Sequence, residues 1–288
     1  MEKIGFIGVG IMGKSMVRNL MKAGYEVHIF ARSKVKVEDV IDEGAIFHST
    51  IKECVSNCKK IITMVGFPKD VEEVYYKEGN ILDSAEEGSY LIDMTTTSPE
   101  LSKKIYETGK NKKFHVLDAP VTGGEIGAIK GTLSILVGGD REDYEACLEV
   151  FEAMGTNINY QGVAGSGQHC KMANQIMIAG TLSGVCEAIT YAKAKGLNLD
   201  TVLKSVSSGA AGSHQLDVFG PKILNEDYDP GFFAKHFIKD MKLALEESET
   251  SKLHLNVLGL VLSQYEELAD EGYDEFGTQV LMKYYEKN

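Results

Sequence analysis

Three glycines near the amino terminus constrain the chain more than any other feature. The run Ile4-Gly5-Phe6-Ile7-Gly8-Val9-Gly10-Ile11-Met12-Gly13 is a GxGxxG that follows an apolar β-rich stretch and opens an amphipathic helix. In that setting each glycine has a physical task. Gly8 allows a tight turn, Gly10 lets the backbone approach a pyrophosphate, and Gly13 lets helix and strand pack closely, while the helix amino end favours an anion. The turn residues Gly8, Val9, Gly10, Ile11, Met12 and Gly13 are therefore the expected dinucleotide cradle.

The rest of the first half supports that setting. Short β-rich runs at residues 3–9, 26–30, 60–65, 90–94, 114–117 and 133–137 alternate with helical stretches such as 12–23, 68–76 and 99–110, the pattern of a parallel sheet covered on both faces. The character changes at the Gly-rich stretch 161–167, which is followed by almost thirty residues without Pro. That stretch predicts one long helix. Beyond it, residues 200–208, 237–253 and 255–270 carry helical periodicity and little strand signal. The predicted fold is α/β: a Rossmann-type, doubly wound, mostly parallel sheet over residues 1–163, followed by an all-helical substrate and dimerisation domain over 164–288, opened by the long helix.

Composition narrows the function classes. With 30 Lys plus Arg against 42 Asp plus Glu in 288 residues, the formal charge of −12 argues against a general nucleic-acid binder. No apolar run is long enough for a membrane span, and the chain enters its motif-bearing strand at once, so a cytoplasmic enzyme is expected. Cys54, Cys58, Cys147, Cys170 and Cys186 are scattered without CxxC pairs, which predicts reduced thiols, and the histidines show no metal-binding spacing, so no metal is expected.

The turn after the second strand reads Ala31-Arg32-Ser33, where a site selective for NAD usually places an acid. An Arg there can hold a 2′-phosphate through a charge-assisted fork and Ser33 can add a donor, so NADP is expected over NAD. Two further loops lie at strand ends where such a sheet binds its ligand: Met64-Val65-Gly66 and Thr95-Thr96-Thr97, with Thr96 offered to the ribose or carboxamide.

Four segments in order then resemble the β-hydroxyacid dehydrogenases, the group of 3-hydroxyisobutyrate dehydrogenases and of tartronate semialdehyde, glyoxylate and succinic semialdehyde reductases. They are the Gly5–Gly13 run, Asp118-Ala-Pro-Val-Thr122-Gly123-Gly124, Gly165-Ser-Gly167-Gln-His-Cys-Lys171-Met-Ala-Asn174, and Lys239-Asp240-Met241. Two positions depart from the family pattern: Thr122 stands where Ser is usual, and Met64-Val65-Gly66 replaces a Leu-Pro or Leu-Ala pair. The resemblance implies hydride exchange between NADP(H) and a small hydroxy acid or semialdehyde acid. It also implies a homodimer or homotetramer.

Chemistry explains why such residues are needed. Hydride delivery to a carbonyl creates an alkoxide that must gain a proton, and Lys171 is the candidate general acid. Asn174 and Gln175 follow three and four positions on, on the same helix face. By resemblance Asn174 orients the ammonium or the substrate oxygen, Thr122, Gly123 and Gly124 receive the substrate carboxylate, and Lys239 reaches the cofactor. The periodicity around Lys239 predicts an apolar face of Ile238, Met241 and Leu245, with Lys239 pointing away from it. His169, Cys170 and His236 flank these motifs as packing or structural residues. The rival readings are an imine reductase, a non-catalytic dinucleotide-binding protein and, against the chain's length, a 6-phosphogluconate dehydrogenase.

Overall fold

A computed structural model describes residues 1–287. Among them nine strands form one sheet: β1 (Lys3–Ile7), β2 (Glu26–Phe30), β3 (Ile46–His48), β4 (Lys60–Thr63), β5 (Tyr90–Asp93), β6 (His115–Asp118), β7 (Val121–Thr122), β8 (Leu133–Gly139) and β9 (Gly155–Gly162). The spatial order is β3-β2-β1-β4-β5-β6-β8-β7, with β9 also paired to β8. Pairing is parallel from β3 to β6, whereas β8 runs antiparallel to β6 and β7. Strand order therefore reverses at β1, the switch point of a doubly wound dinucleotide-binding sheet.

Helices flank the strands: α1 (Ile11–Lys22), α2 (Glu38–Asp42), α3 (Ile51–Val55), α4 (Pro68–Tyr76), α5 (Ile81–Ser84), α6 (Pro99–Asn111), α7 (Gly124–Lys130), α8 (Arg141–Ala146) and α9 (Leu148–Glu152). The remainder is helical: α10 (Ser166–Ala194), α11 (Leu199–Ser207), α12 (His214–Leu224), α13 (Ala234–Thr250), α14 (Asn256–Asp270) and α15 (Met282–Lys287). The chain groups into two compact units, Met1–Lys171 and the part from Met172 onward.

In the first unit the two-residue period of the strands builds two cores at once. Ile62, Ile92 and Leu117 enter one cluster with Ile4, Val17 and Leu20, while their neighbours Ile61, Leu91 and Val116 enter the other with Tyr75 and Ile105. A sheet buried on both faces needs these unbroken apolar runs. Helix α4 begins at Pro68, where a missing N–H costs nothing, and α6 begins at Pro99 with the Ser98 hydroxyl accepting from Leu101 N at 3.0 Å. The second unit packs around Phe237 of α13 and Tyr265 of α14, both fully buried with ring centres 5.3 Å apart, edge to face. The Tyr265 hydroxyl donates to the Thr278 carbonyl.

The expected strands and helices are present with ends shifted by a few residues. Three strands escaped the sequence reading. β3 is three residues long, β7 only two, and β9, burial pattern mostly open, lacks the apolar run that marks its neighbours. The periodicity also misplaced α13. It starts at Ala234 rather than 237, and its buried face is Phe237, Met241, Ala244 and Ser248, with Ile238 and Leu245 only half-buried. All five cysteines are free, and four of them are buried.

The β1–α1 turn is the tightest joint in this framework. A methyl group on Gly13 would lie 2.2 Å from the Gly8 carbonyl oxygen, and one on Gly8 (φ +99°) the same distance from the Met64 carbonyl oxygen. Gly13→Ala is accordingly expected to destabilise the protein by ~1–3 kcal/mol, the usual penalty for overpacking. Urea denaturation reads it; an unchanged midpoint would show that the turn yields freely.

Candidate active site

Register brings the sequence-predicted nucleotide residues to one edge of the sheet. Ile7 pairs with Phe30 and with Thr63, Thr63 with Asp93, and Asp93 with Asp118, so the carboxyl ends of β2, β1, β4, β5 and β6 form a single row. The loops that leave this row carry Gly8 to Gly13, then Ala31, Arg32 and Ser33, then Met64, Val65 and Gly66, then Thr95 to Thr97.

The glycine turn has the shape a dinucleotide requires. Gly8 and Gly13 have no room for a side chain, whereas a Cβ on Gly10 would meet nothing within 4 Å, so the outer wall of the turn is open backbone. Gly10 caps α1 without a side-chain hydrogen bond, and no acid sits in the first turn. That leaves amides and positive helix dipole for a pyrophosphate. Next to it, Arg32 is 84% exposed and its Nη1 lies 3.5 Å from Asp70 Oδ1. Asp70 is itself held at the amino end of α4, where its Oδ2 accepts from Phe67 N at 3.1 Å.

The Thr95–Thr97 loop is bolted down from behind. Thr95 Oγ1 accepts from Val65 N at 3.0 Å, Thr97 N donates to Gln168 Oε1 at 3.1 Å, and Gln168 Nε2 donates to the Thr95 carbonyl at 2.8 Å. Thr95 and Thr97 are buried, and Thr96 between them is half-buried. Beneath the loop lies Asp93, whose Oδ1 accepts from Thr63 Oγ1 at 2.7 Å and from Thr95 N at 3.1 Å, while Oδ2 is buried without a hydrogen bond. Burial pushes this carboxyl up to about 6, against the pull of its donors. One strand along, Asp118 accepts from Gly165 N at 2.7 Å and from Gln168 N at 3.0 Å, capping the first turn of α10. Thr122 ends β7, and Gly123 and Gly124 follow with positive φ of 126° and 62° at the start of α7, a turn that only glycine adopts freely.

Lys171 lies on α10 five residues after Ser166 and is 7% exposed. In the second unit, Asn174 Nδ2 donates to Gln175 Oε1 at 2.7 Å, Gln175 Nε2 donates to Asp240 Oδ2 at 2.7 Å, and Lys239 Nζ lies 2.9 Å from Asp240 Oδ1. The last contact is an ion pair off the line of a hydrogen bond, since Oδ1 has none. Lys239 is only 12% exposed in its side chain and is paired with the adjacent Asp240. His236 stacks on Phe232, and burial, with help from Lys239, lowers its basicity.

Sequence reasoning named Lys171, Asn174 and Lys239 but gave no role to Asp118, Gln168, Asp240 or Asp93. The first three lie inside the motif segments and could have been singled out there. Asp93 carries no signal beyond an acid ending an apolar strand. Among the described residues no group of three or more His, Cys, Asp or Glu is placed to hold a metal, and no helix is long and apolar enough to cross a membrane.

A doubly wound sheet with this glycine turn, continued by a helical unit, is the architecture of a dinucleotide-binding protein. Residues 3–165 match the model of the NAD-binding domain of 6-phosphogluconate dehydrogenase, and residues 165–285 that of the NAD-binding region of NADP-dependent 3-hydroxyisobutyrate dehydrogenase. An uncharacterized oxidoreductase of Bacillus subtilis is 50% identical over 99% of both chains. A probable mitochondrial 3-hydroxyisobutyrate dehydrogenase-like protein of Arabidopsis thaliana is 40% identical over 97% of this chain and 84% of its own. The 3-hydroxyisobutyrate dehydrogenase of Mycobacterium tuberculosis, solved with L-serine, superposes with a TM-score of 0.90 at 25% identity over 98% of each chain. The chain belongs to the β-hydroxyacid dehydrogenase family, and it is an NAD(P)-binding oxidoreductase that acts on the hydroxyl group of hydroxy acids.

The buried Asp93 gives the fold a measurable acid dependence. Its carboxyl titrates near 6 folded against an ordinary value of 3.8, so the folded state binds the proton more tightly and stability is lost as pH rises through that interval. Asp93→Asn keeps the acceptor for Thr63 and Thr95 and removes the titration. Denaturation curves from pH 4 to 8 should lose this falling component in the variant; parallel wild-type and variant profiles would contradict it.

Proposed function

We propose that the chain exchanges a hydride between NADP(H) and a small hydroxy acid or semialdehyde acid of the 3-hydroxyisobutyrate type, with Lys171 as general acid in reduction and general base in oxidation. Glyoxylate, succinic semialdehyde and tartronate semialdehyde reduction are the variants of this reading that differ only in pocket shape, which discriminates by ~1–3 kcal/mol per methylene. The carrying observation is Lys171 itself, a lysine 7% exposed on the helix that Asp118 fastens to the reactive edge of the sheet. Buried lysines are uncommon unless a task keeps them there.

The nucleotide residues are Gly8, Val9, Gly10, Ile11, Met12 and Gly13 at the pyrophosphate, Ala31, Arg32 and Ser33 at the adenosine ribose, and Met64, Val65, Gly66, Thr96 and Lys239 toward the nicotinamide. The dinucleotide, when bound, supplies or accepts the hydride. Lys171 gives the growing alkoxide its proton or takes it back, Asn174 positions the exchanging group, and Thr122 with the amides of Gly123 and Gly124 holds the substrate carboxylate. An apolar exposed surface on the second unit, formed by Met177 of α10 and Val257 and Leu260 of α14, suits burial against another copy, in line with a homodimer or homotetramer. Residues 1–163 would then be the nucleotide domain and 164–288 the substrate and assembly domain.

The reading is tested with a panel of semialdehydes and glyoxylate, followed at the nicotinamide absorbance. On the best substrate, Lys171→Ala should cut kcat by ~100- to 10,000-fold, the usual worth of general acid–base catalysis. Dinucleotide affinity should survive. Near-normal turnover in the folded variant would remove Lys171 from the chemistry.

Cofactor choice is tested at Arg32, whose contact with Asp70 is a long one of 3.5 Å on an exposed side chain, so the guanidinium can reach a 2′-phosphate. Arg32→Asp should lower kcat/KM for NADPH about 10- to 100-fold, the worth of one hydrogen bond to a charged group, and leave NADH unharmed. Equal use of both cofactors before and after substitution would refute the assignment.

A further inference from the structure

Asn174 can present either end of its amide to the reaction, and the two ends do opposite things: the oxygen accepts a hydrogen bond and the nitrogen donates one. The surroundings decide which. Asp240 is 1% exposed and carries a carboxylate that only accepts, and Gln175, also 1% exposed, meets it at 2.7 Å. Gln175 must therefore turn its Nε2 to Asp240 and its Oε1 the other way. That oxygen faces Asn174 at 2.7 Å, so Asn174 in turn must offer Nδ2 to Gln175. Its own Oδ1 is left on the side away from Gln175. One buried charge thus sets the direction of two successive amides, and Lys239, 2.9 Å from the other carboxylate oxygen, helps keep that charge in place.

We propose that Gln175 is a positioning residue that transmits this polarity, so that Asn174 presents an acceptor to the proton-bearing partner of the reaction, an ammonium or a substrate hydroxyl. The inference rests on the reading of Asn174 as a site residue. It fixes which way the Asn174 Oδ1 acceptor faces; the second N–H of Nδ2 remains free, so the relay sets the direction of the amide without removing its capacity to donate. Gln175 itself touches neither substrate nor cofactor in this scheme; its effect passes through Asn174.

The test is to replace Gln175 by Leu and by Glu. Gln175→Leu ends the relay and should lower kcat by about 100-fold, the cost of a misplaced group, with the KM for dinucleotide unchanged. Gln175→Glu keeps the shape. While the introduced carboxyl holds a proton it donates to Asp240 and accepts from Asn174 as the amide did; once ionised it repels Asp240. Its kcat should therefore approach the wild-type value at the acid end of the profile and fall as pH rises. The wild-type profile, measured alongside, subtracts the titration of neighbouring His236. In nitrogen-15-labelled Gln175→Glu protein the Asn174 side-chain amide signal should move with the same midpoint, which can be read in the absence of any substrate. A Gln175→Glu profile that overlays wild type, together with an Asn174 signal that does not titrate, would overturn the proposal even if Lys171→Ala is inactive. If instead no acid is turned over by wild type, the functional reading fails while the Asn174 signal still decides the relay. Thermal melts identify a misfolded Leu variant, and the isosteric Glu variant then carries the test.

Discussion

The Asp118 carboxylate at the first turn of α10 is the contact that fixes where this helix begins. It is 3% exposed, and burial pushes its carboxyl above the ordinary carboxylate range while the amides of Gly165 and Gln168 pull it back toward the ionised form. Such a cap contributes about 0.5–2 kcal/mol and gains further from the positive end of the helix dipole. Its larger effect is spatial. Because Asp118 ends a central strand, the helix that carries Lys171 starts at a place dictated by the sheet. The closeness needed is enforced by glycine: a Cβ on Gly138 would lie 2.6 Å from Asp118 Oδ1, and one on Gly167 would lie 2.3 Å from the Leu136 carbonyl.

Gln168 extends the same joint sideways. Its backbone N–H serves the Asp118 cap while its side-chain amide spans the Thr95 carbonyl and the Thr97 N–H. The start of α10 and the Thr95–Thr97 loop are therefore fixed by one residue. Asp93 below them, deprived of a partner at Oδ2, makes this polar layer sensitive to protonation as well as to packing.

What the sequence disclosed follows from how local each signal is. The glycine turn, the proline-started helices α4 and α6 and the long helix are set by residues adjacent in the chain, and all are present. The antiparallel placement of β8 against β6 is a matter of topology that no local pattern encodes, and the two-residue β7 and the mostly exposed β9 lack the apolar run that marks a buried strand. The same divide runs through the candidate site. Lys171 and Asn174 stood out because they follow a Gly-rich turn, whereas Asp118 and Asp240, which bond to Gln168 and Gln175 of the same helix, are brought in by tertiary contacts across 50 and 65 positions, separations no local pattern encodes.

The length of α10 gives Lys171 a mechanical advantage. With 29 residues at ~1.5 Å each, the helix is a rod about 44 Å long, and the Asp118 cap acts as its pivot. Lys171 sits roughly 8 Å along that rod at the same rise per residue. A tilt of about 5° about the pivot would carry the far end by nearly ~4 Å and the lysine by under ~1 Å, on the same helix dimensions. Lys171 is attached near the anchored end of the helix, where a given tilt displaces it least.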